Sequence, residues 1–496
     1  MRPDVTASRV SARQCRRAPP SAWWTLYLHF ALVLLILSMW LSIPSPSWVL
    51  LCAGLISMPT YLCMAWMESR TAPLRLNPLS FYLAWSSIGL GASAIYMSSQ
   101  IAGDRSVGFA IAEVAPQDLV TGYVIYVSGS LLLHLGMLLR SPRPVSANFT
   151  ITRAITPSVY IIFVLGLLHQ EFPAAFARLG SIAIPLNYGA VAGLSAFALH
   201  PYFRRKLGPV VFWSMLFLGT LVLLLGQILT GSKAYIMYAF VPVTWLFLLD
   251  NSLRRFFPAL LAGVAVLYLG VVAPLVTASR LQPLQPGENG VQHVLRMVAD
   301  HLDSVAFMKS DTGLNPEQSN NFLARMFDPT PVGYFVDQVR QSGLQHGQTM
   351  TYIGYSFVPR VLWPSKPDVT RGAWFDAYIG QARTSEEATT SLGMTATGDL
   401  YWNFGMLGVI AGMLLIGLME GELWRLAGSD PRSSPIRMLL YVSLTLEMGD
   451  MPEAVTVVVG LVSTWLIFQT LLLLTRRREP LAQRFPRGSY ACYPQR

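Results

Sequence analysis

The chain has 496 residues, 53% hydrophobic and 12% charged, where soluble domains carry about 25% charged residues. This excludes disorder, a disulfide-stapled secreted scaffold and a coiled coil, and it argues against an ordinary soluble enzyme. The net charge of +10 suits a nucleic-acid partner only if the basic residues cluster on a water-facing domain, and they do not.

Apolar runs near the spanning length of about 20 residues occur at 23–43, 48–67, 79–101, 119–139, 155–169, 181–199, 209–229, 233–249, 256–277, 401–424, 436–448 and 454–474. They predict an all-α polytopic membrane protein of about 12 transmembrane helices. The runs at 155–169 and 436–448 are short and fit half-helices or re-entrant segments. Basic residues mark every second connection: Arg9, Arg13, Arg16 and Arg17; Arg70 and Arg75; Arg140, Arg143 and Arg153; Arg204, Arg205 and Lys206; Arg254 and Arg255; Arg425 and Arg432; Arg476, Arg477 and Arg478. Lys and Arg accumulate on the cytoplasmic side, so both termini are expected inside. No cleavage site follows the first run, which reads as a retained anchor.

The chain divides into a cytoplasmic tail (1–22), a membrane domain of about nine spans (23–277), an external loop domain (278–400), three last spans (401–474) and a basic cytoplasmic tail (475–496). The external loop holds nine Lys/Arg and twelve Asp/Glu, so the positive charge belongs to the membrane portion and its tails. A structureless loop of that length is unusual, which predicts a small, mainly helical domain. Helical spacing runs through 290–309, shorter helices are expected at 321–327, 333–340 and 374–378, and 352–366 reads as an ordered loop rich in aromatics and proline.

Cys52 and Cys63 lie eleven residues apart on one expected helix, about 16 Å by helical rise and too far for a disulfide. Cys15 and Cys492 lie on the tails. The sequence has no phosphate-binding glycine loop, His-Glu-x-x-His, nucleophile elbow or Cys/His spacing of a metal site. No metal, cofactor or direct use of a nucleotide is therefore expected.

Three basic residues off the cytoplasmic side fall where the membrane meets the external domain. Lys233 sits in Gly231-Ser232-Lys233-Ala234-Tyr235, Arg280 follows the run 256–277, and Arg360 sits in Pro359-Arg360-Val361-Leu362-Trp363-Pro364-Ser365-Lys366-Pro367. Such a cluster at headgroup level suits a lipid diphosphate, Arg through bidentate contacts and Lys as a point charge. Snorkelling of helix-end cations is the structural alternative. Asp399 and the pair Glu386-Glu387 are candidate general bases toward a sugar hydroxyl. Asp399 equally suits a helix N-cap, and the Glu pair a solvated surface. His346 is a loop histidine near the same segment, or a surface-turn residue. Tyr355, Trp363 and Tyr401 suit the membrane interface or a sugar face. His134 lies inside a span; an intramembrane histidine is a functional candidate, although a helix–helix hydrogen bond is the commoner role. Glu447, with Asp450 and Glu453 close by, is a functional rim or a solvated turn.

One order of features stands out. A Gly-Ser-Lys near a helix start precedes a large external loop. The loop carries Tyr355-x-x-x-Pro359-Arg360-x-x-Trp363-Pro364-x-Lys366-Pro367, and Gly398-Asp399-x-Tyr401-x-Asn403-Phe404-Gly405 then opens the next span. This resembles the bacterial Wzy-type O-antigen/exopolysaccharide repeat-unit polymerases, most closely over 356–421. The family often has Glu where Asp399 stands and Arg where Lys233 stands. The resemblance implies a metal-independent, cofactor-free membrane glycosyltransferase with a GT-C-like fold. It would polymerise undecaprenyl-diphosphate-linked oligosaccharide units at the periplasmic face of the inner membrane, with 278–400 periplasmic. It further implies Asp399 or Glu387 as base and Arg360 in catalysis. Lys233, Arg280 and Arg360 would hold the diphosphate, and Tyr355, Trp363, Tyr401 and His346 would lie along the sugar path. The implied partners are the lipid-linked oligosaccharide and membrane lipid, with a chain-length regulator and a flippase beside them and no nucleic acid. Two other readings share this plan: ligase-like transfer of polymer to lipid A core, and a non-enzymatic polysaccharide or lipid transporter.

Overall fold

A computed structural model describes residues 21–71, 77–103, 108–109, 112–140, 155–171, 188–229, 238–250, 252–267, 329–358, 362–366, 371–380, 393–428, 435–448 and 453–476, with isolated positions at 176, 186, 292, 296, 383–384 and 431. Helix α1 (Ser21–Ser42) and helix α2 (Pro46–Thr71) form an antiparallel hairpin across a three-residue turn. The run 79–101 does not continue as one α-helix. Asn77 and Ser80 close a reciprocal capping box at the start of α3 (Pro78–Ser86), a π-helical segment follows over Ser87–Ala92, and α4 (Ser93–Ala102) resumes the normal winding. Tyr123 donates a 2.7 Å hydrogen bond to the Leu90 carbonyl of the widened segment. A two-stranded antiparallel ribbon, β1 (Gly108–Phe109) and β2 (Ala112–Glu113), leads into α5 (Pro116–Arg140).

Shorter helices follow: α6 (Ile155–Glu171), α7 (Gly189–Leu199), α8 (Pro201–Lys206), α9 (Pro209–Leu229), α10 (Val241–Leu249) and α11 (Phe257–Leu267). The helices expected over 333–340 and 374–378 are observed as α12 (Pro329–Ser342) and α14 (Arg371–Tyr378), with a single helical turn, α13 (Ile353–Ser356), between them. The expected helices at 290–309 and 321–327 lie outside the described residues, apart from positions 292 and 296. The chain continues through α15 (Ala396–Ala427), α16 (Pro435–Glu447) and α17 (Ala454–Arg476).

The centre of the molecule is the packing of α5 on α15, set by glycine. A Cβ on Gly136 would stand 2.6 Å from the Leu414 carbonyl oxygen, and one on Gly421 would stand 2.6 Å from the Met137 carbonyl oxygen. Gly417 and Gly421 form a small-xxx-small pair on α15, the arrangement that lets membrane helices approach backbone to backbone. Gly122 of α5 and Gly333 of α12 meet in the same way. The exposed Arg340 guanidinium pairs with the buried Asp118 carboxylate and ties α12 to the start of α5.

Polarity is distributed inside out. Thr25, His29, Glu68, His134, Asp399 and Glu420 are buried, while Leu407 is 78% and Phe217 71% exposed, and Trp23, Trp24, Trp48 and Trp66 also face outward. Apolar surface of this kind marks a lipid or protein contact, and tryptophans suit the headgroup level. Among the described residues, four helices are long and apolar enough to cross a membrane: Trp23–Ser42, Pro46–Arg70, Pro116–Arg140 and Ala396–Ala427. Four shorter apolar helices cover Pro157–His169, Gly189–Leu199, Pro209–Leu225 and Ala454–Thr470.

Among the described residues the expectation of about 12 spans is therefore corrected to four membrane-length helices, which do not make the expected GT-C-like polytopic fold. The multi-pass inner-membrane arrangement, with paired cytoplasmic termini and a periplasmic loop, loses its basis with it. Hydropathy counted runs that the fold uses otherwise. The run 79–101 changes its winding through the π segment, and the described helices in 233–249 and 436–448 are only 9 and 13 residues long. Apolar stretches of about 10–14 residues more often form buried core helices than spans.

Candidate functional site

The most organised polar site lies at the start of α15. The N-cap of this helix is Thr395, whose hydroxyl accepts from the Gly398 amide at 3.2 Å. Asp399 therefore sits in the first turn and is not the cap. Gly398 is small because the Phe335 ring stands 3.0 Å from where its Cβ would be. That ring stacks on Trp402 at 4.7 Å between centroids, and Phe375 and Met394 complete a buried box joining α12, α14 and α15. Apolar packing thus fixes the turn that carries Asp399.

The helix is interrupted at Gly405, with φ 65° and ψ −155°. The break frees carbonyl groups one turn earlier, because the helical partner of a carbonyl is the amide four residues on. Loop amides take their place: Gln345 N–H donates to the Trp402 carbonyl at 3.1 Å, and His346 N–H to the Asn403 carbonyl at 3.0 Å. Asn403 is the hub. Its Oδ1 accepts from Gly347 N–H at 3.0 Å, and its Nδ2 donates to Thr349 Oγ1 at 2.7 Å and to Asp399 Oδ1 at 3.0 Å. Asp399 is fully buried, and the Ala454 backbone amide is directed at its carboxylate.

Two charged residues complete the cradle. Arg371 is buried, with its guanidinium 4.1 Å from the Trp374 ring centroid and 4.9 Å from that of Tyr352. Its Nε has no hydrogen-bond partner among the described residues. Glu453 is buried and accepts from Thr456 Oγ1 at 3.0 Å. Arg371 and Glu453 are both within electrostatic reach of Asp399. Burial pushes the Tyr352 phenol up, the Glu453 charge adds to this, and the Thr456 hydroxyl and Arg371 oppose it. Outside the cradle, Trp374 stacks on Tyr378, which is 43% exposed. The two non-glycine residues with positive φ among those described, His346 (49°) and Thr395 (59°), flank the Asp399–Asn403 pair. Strained backbone of this kind persists where the surroundings over-determine it, commonly at functional sites.

The residues expected from sequence separate into three groups. Asp399 is central to the site. His346 contributes its backbone, while its side chain is exposed on a turn. Tyr355 packs edge-on against Trp363 at 6.0 Å, Trp363 donates to Ser365 Oγ at 3.1 Å, and Lys366 Nζ closes this loop onto the Ser356 and Val358 carbonyls, each at 3.0 Å. Tyr401 faces the Arg340–Asp118 ion pair instead. Lys233, Arg280, Arg360 and Glu387 lie outside the described residues. Glu453, read as rim or turn, is buried in the cradle. Glu447 points toward the buried Glu420 of α15. Sequence reasoning missed Arg371 and Thr349. Asn403 was visible only as a letter of the Gly398–Gly405 pattern.

Among the described residues no group of three or more His, Cys, Asp or Glu could hold a metal ion. Comparison with known proteins finds no matching family model, no matching curated protein and no matching solved structure. The expected repeat-unit polymerase, with its O-antigen glycosyltransferase chemistry, required the polytopic bundle that four membrane-length helices do not supply. The ligase and transporter readings rested on the same twelve-span plan and fall with it.

Proposed function

We propose that this chain is a membrane-associated glycan-binding protein. Its ligand is the saccharide portion of a lipid-linked oligosaccharide, seated on the cradle at the start of α15. The observation that supports this is the buried Arg371, which lies over the Trp374 ring and within electrostatic reach of Asp399 and so links the carboxylate to the Trp374–Tyr378 stack that extends the cradle to the surface. A carboxyl group hydrogen-bonds hydroxyl groups, and aromatic rings offer flat apolar faces to sugar C–H groups. The cradle opens a membrane-length helix, within reach of a glycan anchored in lipid. The likeness of 356–421 to the Wzy-type proteins narrows the ligand to undecaprenyl-diphosphate-linked oligosaccharide.

The test uses the full chain in lipid nanodiscs. It is titrated with undecaprenyl-diphosphate-linked oligosaccharide, with undecaprenyl diphosphate alone and with the free oligosaccharide. The glycolipid is expected to bind more tightly than the bare lipid diphosphate. Asp399→Asn and Trp374→Ala should each weaken it about tenfold, equivalent to ~1.4 kcal/mol. Equal binding of glycolipid and bare lipid diphosphate, unmoved by either substitution, would overturn the reading.

A further inference from the structure

A second polar centre lies away from the cradle, between α1, α2 and α5. Its members are Thr25 and His29 on α1, Tyr61 and Glu68 on α2, and His134 on α5, all of them buried. Tyr61 OH lies 3.0 Å from His29 Nε2, His29 Nδ1 lies 3.1 Å from His134 Nδ1, His134 Nε2 lies 3.4 Å from Thr25 Oγ1, and Thr25 Oγ1 donates to Glu68 Oε1 at 2.7 Å. Three of the four membrane-length helices thus share one unbroken line of hydrogen bonds. Among the described residues, the polar groups facing the line include Asn77 and Tyr82 from the α3 side, Ser57 from α2, and Tyr123 and Ser130 from α5, the Ser130 hydroxyl also meeting Tyr61. Asn77 Nδ2 donates to the Glu68 carbonyl at 3.3 Å, Tyr82 OH to Ser130 Oγ at 2.7 Å, and Ser57 Oγ meets Tyr123 OH at 2.9 Å.

Valence sets the direction of the line. The Thr25 hydroxyl proton is committed to Glu68, so the Thr25 oxygen accepts from His134 and Nε2 carries the His134 proton. A neutral imidazole has one donor and one acceptor nitrogen, so His134 Nδ1 accepts and His29 Nδ1 donates. His29 Nε2 then accepts from the Tyr61 hydroxyl. With Glu68 as the carboxylate, each of these hydrogen bonds points from Tyr61 toward Glu68.

We propose that this line is a proton relay ending on Glu68. A proton arriving at the Tyr61 oxygen displaces one proton at each step: Tyr61 O–H to His29 Nε2, His29 Nδ1–H to His134 Nδ1, His134 Nε2–H to Thr25 Oγ1, and Thr25 O–H to Glu68 Oε1. The five groups together gain one proton, which resides on Glu68 as a carboxylic acid. No bond to carbon changes, and both histidines stay neutral while exchanging tautomers. Tyr61 and Glu68 are seven residues apart on α2, so the relay carries charge over about 10 Å by helical rise, a third of a hydrocarbon core of about 30 Å. Ionisable groups inside membrane helices characteristically mark proton paths.

The relay makes a prediction that helix-to-helix hydrogen bonding alone does not. In the full chain, labelled with nitrogen-15 at histidine and held in nanodiscs, neutral pH should show His134 as the Nε2–H and His29 as the Nδ1–H tautomer. Acidification should convert the Glu68 carboxylate to the acid, seen in the infrared and absent in Glu68→Gln. In that same step both histidines should switch to the opposite tautomers. Thr25→Ser should keep the two events together, and Thr25→Val should separate them. Tautomers that stay fixed while Glu68 takes up its proton would overturn the proposal. So would doubly protonated imidazoles, or a Thr25→Val protein that titrates like the wild type. If Thr25→Val fails to fold, the wild-type tautomer measurement decides alone.

Discussion

The substitution Gly136→Ala tests whether glycine sets the α5–α15 distance. The new methyl would lie 2.6 Å from the Leu414 carbonyl oxygen, 2.7 Å from the Leu418 nitrogen and 2.8 Å from the Gly417 carbonyl carbon. All three are backbone atoms, so no side chain can turn aside. Non-bonded carbon contacts settle near about 3.5–4.0 Å, and the two helices must part by roughly 1 Å. Overpacking of this kind costs about 1–3 kcal/mol. Gly460, on α17, is the control, because among the described residues nothing lies within 4 Å of its added Cβ. There the same change removes a helix-interior glycine and should be neutral or stabilising by up to about 1 kcal/mol. Chemical unfolding in nanodiscs, followed by tryptophan fluorescence, measures both. The reasoning fails if Gly136→Ala matches the wild type, or if Gly460→Ala loses as much as Gly136→Ala does.

Three further outcomes follow from the cradle and its neighbours. Asn403→Leu removes the partner of the Gly347 amide and of Asp399 Oδ1; leaving such groups unpaired costs about 1–3 kcal/mol, and hydrogen exchange should quicken at 345–349 before it does in α5. Gly405→Ala places a side chain at φ 65° and ψ −155°, a region open essentially to glycine alone, which costs about 1–3 kcal/mol; a loss of stability here, with Gly460→Ala unaffected, checks it. Tyr334 is pushed up to about 12, first by burial and then by the neighbouring Tyr378 and Asp337. Its unfolded phenol ionises from about pH 10, so between these values the unfolded chain holds fewer protons and stability falls as pH rises. Below pH 10 Tyr334 adds no slope, and Tyr334→Phe should flatten the alkaline decline.

The sequence made some of this legible and hid the rest for definite reasons. Helix positions followed from apolar runs, and α12 and α14 appeared where their spacing put them. The span count failed because hydropathy measures burial away from water and does not say whether lipid or protein provides it; the described helices in the eighth and eleventh runs are 9 and 13 residues long. Asp399 could be singled out because a carboxylate is rare beside a long apolar run. Its environment could not, since Arg371 was one of nine basic residues in the 278–400 loop and only tertiary folding stacks it on Tyr352 and Trp374. Thr349 carried no signal, because a threonine in a polar loop is ordinary until Asn403 is seen to bond it. Positive φ at His346 and Thr395 is a property of the closed loop and has no residue-type signature.

The two polar centres meet different demands through one helix. In α5, Gly122, Gly129 and Gly136 recur every seven residues along the side that meets α12 and α15. Tyr123, Ser130 and His134 lie along the side that meets α2, α3 and α1. The first face needs the absence of side chains, and the second needs side chains with protons to share. The faces are separated by a fixed helical angle, so a displacement of α5 from α15 also moves His134 against His29 and Thr25. Closest packing on the glycine face therefore sets the geometry of the hydrogen-bonded face. The His134–Thr25 contact, at 3.4 Å the longest in the relay, is where a shift of α5 would first break the line.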